Sequence, residues 1–218
     1  MDFLSEELQQ YVGLHTHAEP ELLKKITHET NAHVLMPRML SGHVQGRFLS
    51  LVSKMLRPKN ILEIGTYTGY SAICLAEGLS AKGKLITIDI NEELETRVRN
   101  YFDEAKLTST IDYRIGDAQK IIPSLSETFD LVFIDADKEN YSLYFDLIID
   151  KVTEGGIILA DNVLWSGKVV QPKPDKDTRA ILAFNEKIQN DTRLENLLLP
   201  LRDGVMVMRK NGMTYTDN

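Results

Sequence analysis

From residue 59 onward the chain alternates short apolar runs with longer amphipathic ones, and few folds accept that rhythm. The short runs read NILEI, KLITIDI, TIDYRI, FDLVFIDA and GGIILA; between them lie YSAICLAEGL, NEELETRVRNYFDEA, AQKIIPSL and ENYSLYFDLIIDKV. Apolar runs without in/out alternation suit strands buried on both faces, and a strand–helix repeat of such runs builds a parallel sheet covered by helices. Near the end, RLENLLLPL and GVMVMRK flank Asp203-Gly204, a turn-forming dipeptide, which predicts a hairpin with one strand antiparallel to its neighbours. The pattern therefore predicts a Rossmann-like, doubly wound α/β fold with a seven-stranded, mostly parallel sheet and helices on both faces.

Ahead of the repeat, Leu4, Leu8, Tyr11 and Val12 recur at helical spacing, and a second helix is expected after Pro20. Ser41 is the expected N-cap of GHVQGRFLSLVSKML, in which Val44, Phe48, Leu51, Val52 and Met55 form one apolar stripe to be buried. The expected organisation is a single domain over 1–218, with a helical cap at 1–40 and the Rossmann-like core at 41–218. A hydrophobic content of 43% suffices for such a core. The net charge of −7 offers no basic footprint for nucleic acid. No uninterrupted apolar run reaches the roughly 18 residues that a membrane span needs. The opening MDFLSEELQQYV lacks a basic leader region, and the lone Cys74 suits a reducing compartment, so the expected location is the cytoplasm.

In open α/β sheets ligands bind beyond the carboxyl ends of the strands. The first strand of the repeat ends in Glu63-Ile64-Gly65, followed by Thr66-Tyr67-Thr68-Gly69-Tyr70-Ser71. Gly65 and Gly69 allow a sharp turn and a close approach of backbone to ligand. The second strand ends in Asp89, placed to accept hydrogen bonds from a ribose diol. A dinucleotide site wants G-x-G-x-x-G, whereas this loop reads G-T-Y-T-G and lacks the middle glycine that admits pyrophosphate. Glu63 would repel a phosphate and suits a cationic sulfonium or amino group. The loop thus points to an adenosine ligand without phosphates, with S-adenosylmethionine the best fit.

Asp135, Asp137 and Lys138 stand just past the fourth strand of the repeat, and Asp161-Asn162 just past the fifth. Carboxylates together with an amide oxygen make a hard-oxygen set for Mg²⁺ or a similar ion, with Ca²⁺ or Mn²⁺ as alternatives. Acids at strand ends also cap helices, and Asp137 is assigned to that role before KENYSLYFDLI.

Taken together these segments resemble the cation-dependent O-methyltransferases that include the caffeoyl-CoA and catechol enzymes, a class I S-adenosylmethionine-dependent family. The likeness runs from about Met39 to Arg209 and is most specific at the loop 63–71, at Phe133-Ile134-Asp135-Ala136-Asp137-Lys138 and at Asp161-Asn162-Val163-Leu164-Trp165. The resemblance implies Asp135, Asp161 and Asn162 as metal ligands. Ser41, Glu63, Gly65, Thr66, Ser71, Asp89 and Ala118 fall where the family contacts the methyl donor, Asp135 touches donor or substrate as well, and Lys138 matches the proposed general base. It also implies a hydroxylated aromatic acceptor, catechol-like or hydroxycinnamoyl-like, and a homodimer. Ser166 stands where the plant enzymes have a substrate-binding Asn, and their basic residue for the CoA ester has no match in MDFLSEELQQ, so an acyl-CoA acceptor is put in doubt.

Other readings weigh less. A hydroxyl on a modified tRNA base is an alternative acceptor, against which the net acidity counts. An NAD-binding oxidoreductase predicts the middle glycine and no acid cluster. A silent adenosine-binding module leaves Asp135, Lys138, Asp161 and Asn162 unexplained, and base N-methylation lacks its Asn-Pro-Pro-aromatic segment. His15, His17, His28, His33 and His43 lack a paired i, i+4 spacing and are read as surface or lid residues. Cys74 is read as a core residue, and Glu92, Glu93 and Glu95 as favouring a helix dipole. Trp165 either lines the acceptor pocket or packs under the proline-bearing loop 167–178.

Overall fold

The computed structural model describes residues 4–212. Their strands form one seven-stranded sheet of order β3-β2-β1-β4-β5-β7-β6, and the chain divides into two compact units, Leu4–Ala118 and the part from Gln119 on.

The first unit carries the N-terminal helices α1 (Glu6–Leu14) and α2 (Glu21–His33), then α3 (Gly42–Leu56), β1 (Asn60–Ile64), α4 (Tyr70–Ala76), β2 (Lys84–Asp89), α5 (Glu95–Glu104) and β3 (Ile111–Ile115). β2 pairs in parallel with both β1 and β3. Four of the five residues of β1, Ile61 to Ile64, are buried, as expected of a strand covered on both faces.

The second unit contains most of α6 (Ala118–Ser124), then β4 (Phe129–Ile134), α7 (Tyr141–Ile148), β5 (Val152–Asp161), α8 (Lys176–Gln189), β6 (Leu194–Leu199) and β7 (Val205–Lys210). β4 and β5 are parallel, and β7 runs antiparallel to β5 and β6, so the terminal hairpin forms as its turn dipeptide predicts. β5 starts at Val152, a residue expected to end the preceding helix, and the bridge from α7 is a short 3-10 turn over Ile149–Lys151.

α3 departs from expectation. Its buried residues are Gln45, Gly46, Arg47, Leu49, Ser50 and Ser53, while Leu51 and Met55 of the predicted stripe are 57% and 69% exposed. The reason lies in the small residues that let α3 approach α4. A Cβ on Gly46 would come within 2.5 Å of the Tyr70 ring, and one on Gly78 within 2.1 Å of the Ser53 backbone. With the backbones so close, the seam is sealed by polar groups. Ser53 donates to the Leu75 carbonyl at 2.6 Å, and Arg47 grips Glu77 with two N–H groups at 2.7 and 3.1 Å. Ser50 and Lys54 donate to the same carboxylate. Burial alone would raise the Glu77 carboxyl, but these donors outweigh it and bring it to about 2. Ser41 occupies the N-cap position of α3 with helical backbone angles, and its side chain makes no capping bond, which corrects its expected capping role. Cys74 is fully buried in α4, its thiol pushed up to about 12 by burial, in keeping with a core role.

Candidate active site

Each half of the predicted site is built within one unit. In Leu4–Ala118, the turn after β1 is made by residues in left-handed backbone: Gly65 (φ 102°), Tyr67 (φ 48°) and Gly69 (φ 78°). A side chain on Gly69 would meet the Phe102 ring at 2.8 Å, so that position requires glycine. The turn is tied down from the end of β2. Asp89 Oδ2 accepts the N–H of Thr66 at 3.0 Å and of Tyr67 at 2.6 Å, and its Oδ1 accepts the N–H of Asn91 at 2.8 Å. The N–H of Gly65 goes to the Ile88 carbonyl and that of Gly69 to the Thr66 carbonyl.

Below the turn, Glu63 is fully buried. Thr87 Oγ1 donates to its Oε2 at 2.5 Å, and Thr66 Oγ1 lies 2.6 Å from Thr87 Oγ1. Thr87 spends its single hydrogen on Glu63, so between the two hydroxyls Thr66 is the donor. Glu63, Gly65, Thr66 and Asp89 are thus brought into one hydrogen-bonded arrangement. Ser41, Ser71 and Ala118 are buried at the starts of α3, α4 and α6.

The second unit holds Asp135, Lys138, Asp161 and Asn162. Lys138 Nζ donates to Asp135 Oδ1 at 3.1 Å and to the Tyr141 hydroxyl at 2.6 Å. Tyr141, fully buried, passes its own hydrogen to the Asp161 carbonyl at 3.1 Å. Burial first, and then the charges of Asp135, Asp161 and Asp137, hold this phenol well above its ordinary range. All three carboxylates therefore act on one hydroxyl. Asp161 is 2% exposed and its Oδ1 accepts the N–H of Asn162 at 2.8 Å. Asp137 occupies the N-cap position without a capping bond; its carboxylate takes the Asn140 amide and, at 2.5 Å, the Tyr144 hydroxyl instead. Side chains compete here with the orphan backbone donors and win.

The stretch after Asp161 is strained, with Asn162, Trp165 and Ser166 at φ 60°, 47° and 54°. It is held by the hairpin turn. Val163 N–H donates to the Gly204 carbonyl at 3.1 Å, Leu164 N–H to the Asp203 carbonyl at 2.9 Å, and Ser166 N–H to Asp203 Oδ1 at 2.5 Å. Lys138 and Lys168 sit over the Trp165 ring at 6.0 and 5.8 Å, and the buried Trp165 Nε1 has no hydrogen-bond partner.

Among the described residues no three His, Cys, Asp or Glu side chains gather as a metal-holding group, so the histidines form no such centre. Asp135, Asp161 and Asn162 are instead two carboxylates and an amide oxygen, a donor set whose chemistry fits a hard divalent cation.

Tyr141 and Thr87 escape a reading of the sequence. Tyr141 lies three residues from Lys138, one helical turn away, and that spacing is its only signal. Thr87 has none until the register of β1 and β2 is known.

A sheet of this order, with a glycine turn after β1 and an acid closing β2, defines an α/β protein of the class I methyltransferase kind. The model of a family described as O-methyltransferase matches residues 14–211. Caffeoyl-CoA O-methyltransferase 5 of Nicotiana tabacum is 35% identical over 94% of this chain and 92% of its own length. The caffeoyl-CoA O-methyltransferase of Petroselinum crispum is 36% identical over 94% and 91%. Among solved structures, the O-methyltransferase from Bacillus cereus in complex with SAH superposes with a TM-score of 0.87 at 30% identity, covering 94% of this chain and 97% of that one. The chain belongs to the O-methyltransferase family, and it is an enzyme that takes its methyl group from S-adenosylmethionine. The oxidoreductase alternative is thereby overturned. No helix among the described residues is long and apolar enough to cross a membrane.

Proposed function

We propose that this O-methyltransferase methylates a hydroxyl of a small catechol-like or hydroxycinnamoyl-like aromatic, with a divalent cation held by Asp135, Asp161 and Asn162. The observation that carries this reading is the hydrogen-bonded chain from the part-buried Asp135 and Lys138 through the buried Tyr141 to the Asp161 carbonyl. It sets a lysine among the oxygen donors, where an acceptor hydroxyl must lose its proton. A bound Mg²⁺ would supply charge that orients adjacent acceptor oxygens and acidifies the hydroxyl.

The chain's own residues do the rest. Lys138 Nζ takes the hydroxyl proton, the oxygen lone pair forms the new bond to the methyl carbon, and the carbon–sulfur bond breaks with its pair left on sulfur as a neutral thioether. Tyr141 and Asp135 fix where Nζ stands, which matters because general-base catalysis demands hydrogen-bond reach. Glu63, Gly65, Thr66, Ser71, Asp89, Ala118 and Ser41, with Asp135 from the other half, form the donor set, and Glu63 faces the cationic end. Asp89 uses two of its lone pairs on the turn amides and one on Asn91, leaving acceptor capacity for a ribose diol.

The caffeoyl-CoA relatives support an aromatic acceptor, while Ser166, in the place of the plant enzymes' substrate-binding Asn, supports a small one over an acyl-CoA. The single, buried Cys74 suits a reducing compartment such as the cytoplasm. The exposed Leu51 and Met55 of α3 favour a homodimer joined through that face.

The test is methyl transfer over catechol, hydroxycinnamoyl and tRNA acceptors, with and without EDTA, in wild type and Lys138→Ala. Turnover of a vicinal diol that EDTA abolishes and Lys138→Ala lowers by about 10² to 10⁴ is expected. Activity indifferent to EDTA on every acceptor would sink the metal reading.

A further inference from the structure

Glu63 pairs with Thr87, and Thr87 with Tyr113, in the parallel registers of β1, β2 and β3. Paired positions project from the same face of a sheet, as do positions two apart along a strand. Glu63, Thr87, Tyr113 and Asp89 therefore share one face. Thr87 and Glu63 satisfy each other. Tyr113 does not join them: it is 5% exposed, yet its hydroxyl is buried with no hydrogen-bond partner among the described residues.

The ring itself is well fixed. Phe102 meets it edge-on at 5.9 Å, and the Arg99 guanidinium sits over it at 5.2 Å. Native proteins rarely bury an O–H without an acceptor, so this hydroxyl is a donor still free to hydrogen-bond. Burial, and then the charges of Asp89, Glu95 and Glu63 against the opposing Arg99, hold this phenol above its ordinary range. The group is consequently a donor and not a phenolate.

We propose that Tyr113 is a further binding residue of the donor half-site, its hydroxyl donating a hydrogen bond to the nucleoside part of the methyl donor. The inference rests on the donor set described under the proposed function. The nucleoside is the part that fits: its ring nitrogens and ribose oxygens accept hydrogen bonds, sulfonium and ammonium groups do not, and the carboxylate lies at the amino-acid end, away from the ribose. Asp89, on the same face, is the residue expected at the ribose. Tyr113 would add a donor beside the acceptor carboxylate of Asp89, and so read the base or sugar from the opposite sense.

Tyr113→Phe keeps the ring and its contacts and deletes only the O–H. Calorimetric titration of wild type and variant with S-adenosylhomocysteine and with 5′-methylthioadenosine, which lacks the amino-acid part, tests the assignment beside a melting curve of each free protein. Both ligands are expected to bind about tenfold more weakly to the variant, by the same factor, the weight of one hydrogen bond. The ligand-free variant is expected to melt no lower than wild type, since it loses an unsatisfied group. Unchanged affinities overturn the proposal, and with a lowered melting point they assign the hydroxyl to a buried water. A loss confined to S-adenosylhomocysteine also overturns it, placing the contact on the amino-acid part. If wild type binds neither ligand, the donor reading itself fails and takes Tyr113 with it.

Discussion

Replacing Gly204 by alanine tests whether the hairpin turn shapes the strained stretch that carries Asn162. Gly204 sits at φ 86°, and a Cβ there would lie 2.5 Å from Leu164 Cγ and 3.0 Å from the Leu164 backbone nitrogen. The left-handed conformation costs an L-residue roughly 1–2 kcal/mol. Overpacking against Leu164 adds roughly 1–3 kcal/mol, so the sum is about 3 kcal/mol. In a chain of this size that lowers the melting temperature by about 6–12 °C and leaves the protein folded. Relief comes most cheaply by moving Leu164, which strains the bonds from Val163, Leu164 and Ser166 to the turn and displaces Asn162 two residues away. Binding of S-adenosylhomocysteine by calorimetry is expected to stay at the wild-type value, because all of the donor set but Asp135 lies in the other unit and Asp135 makes no bond to the turn. In steady-state assays the Mg²⁺ concentration for half-activation, or the KM for the acceptor, is expected to rise at least about tenfold, since small misplacements of reacting groups are costly. A variant with wild-type melting, wild-type Mg²⁺ response and wild-type acceptor kinetics would refute the reasoning.

The α3–α4 seam gives a pH test. Glu77 has its carboxyl depressed from 4.5 to about 2, so its contribution is complete above 4.5 and fades as pH falls towards 2. Glu77→Gln is expected to destabilise by roughly 3 kcal/mol at neutral pH, and the gap to wild type, read by denaturant melts, should close between pH 4.5 and 2; a constant gap would contradict the assignment. Leu51→Lys with Met55→Lys touches no core contact and should leave the melting of the chain within a few degrees while shifting its mass in solution from dimer to monomer. Light scattering decides: wild type at the mass of a dimer and the variant at that of a monomer are expected, and equal masses overturn the proposed dimer through this face.

The parts legible in the sequence are those whose signal is local. The strands of the repeat, the glycine turn and the terminal hairpin follow from apolar runs and turn residues that act within a few positions. Asp135, Lys138, Asp161 and Asn162 were visible because two strand ends in sequence order place them in one unit. What depends on which neighbour arrives was hidden. The apolar stripe of α3 points to the wrong face, because glycines at 46 and 78 let the small and polar face pack instead. Asp137 looks like a cap until Asn140 and Tyr144 claim it. Thr87 and Tyr113 are ordinary β-strand residues, and their roles appear only once the registers with β1 and β2 are known.

The glycine turn after β1 also has a consequence for what the protein refuses. Backbone N–H groups at a strand-to-helix turn are the usual seat for a phosphate. Here that seat is taken from within: the amides of Thr66 and Tyr67 converge on Asp89, and those of Gly65 and Gly69 close on carbonyls. The protein carries its own resident anion where a nucleotide would set down its phosphate. Abundant ATP and dinucleotides thus meet a negative charge and occupied amides, while an uncharged ribose or a cationic sulfonium meets neither obstacle. The bonds from Thr66 and Tyr67 to Asp89 thus set the half-site against the cell's commonest adenosine compounds by the fold alone.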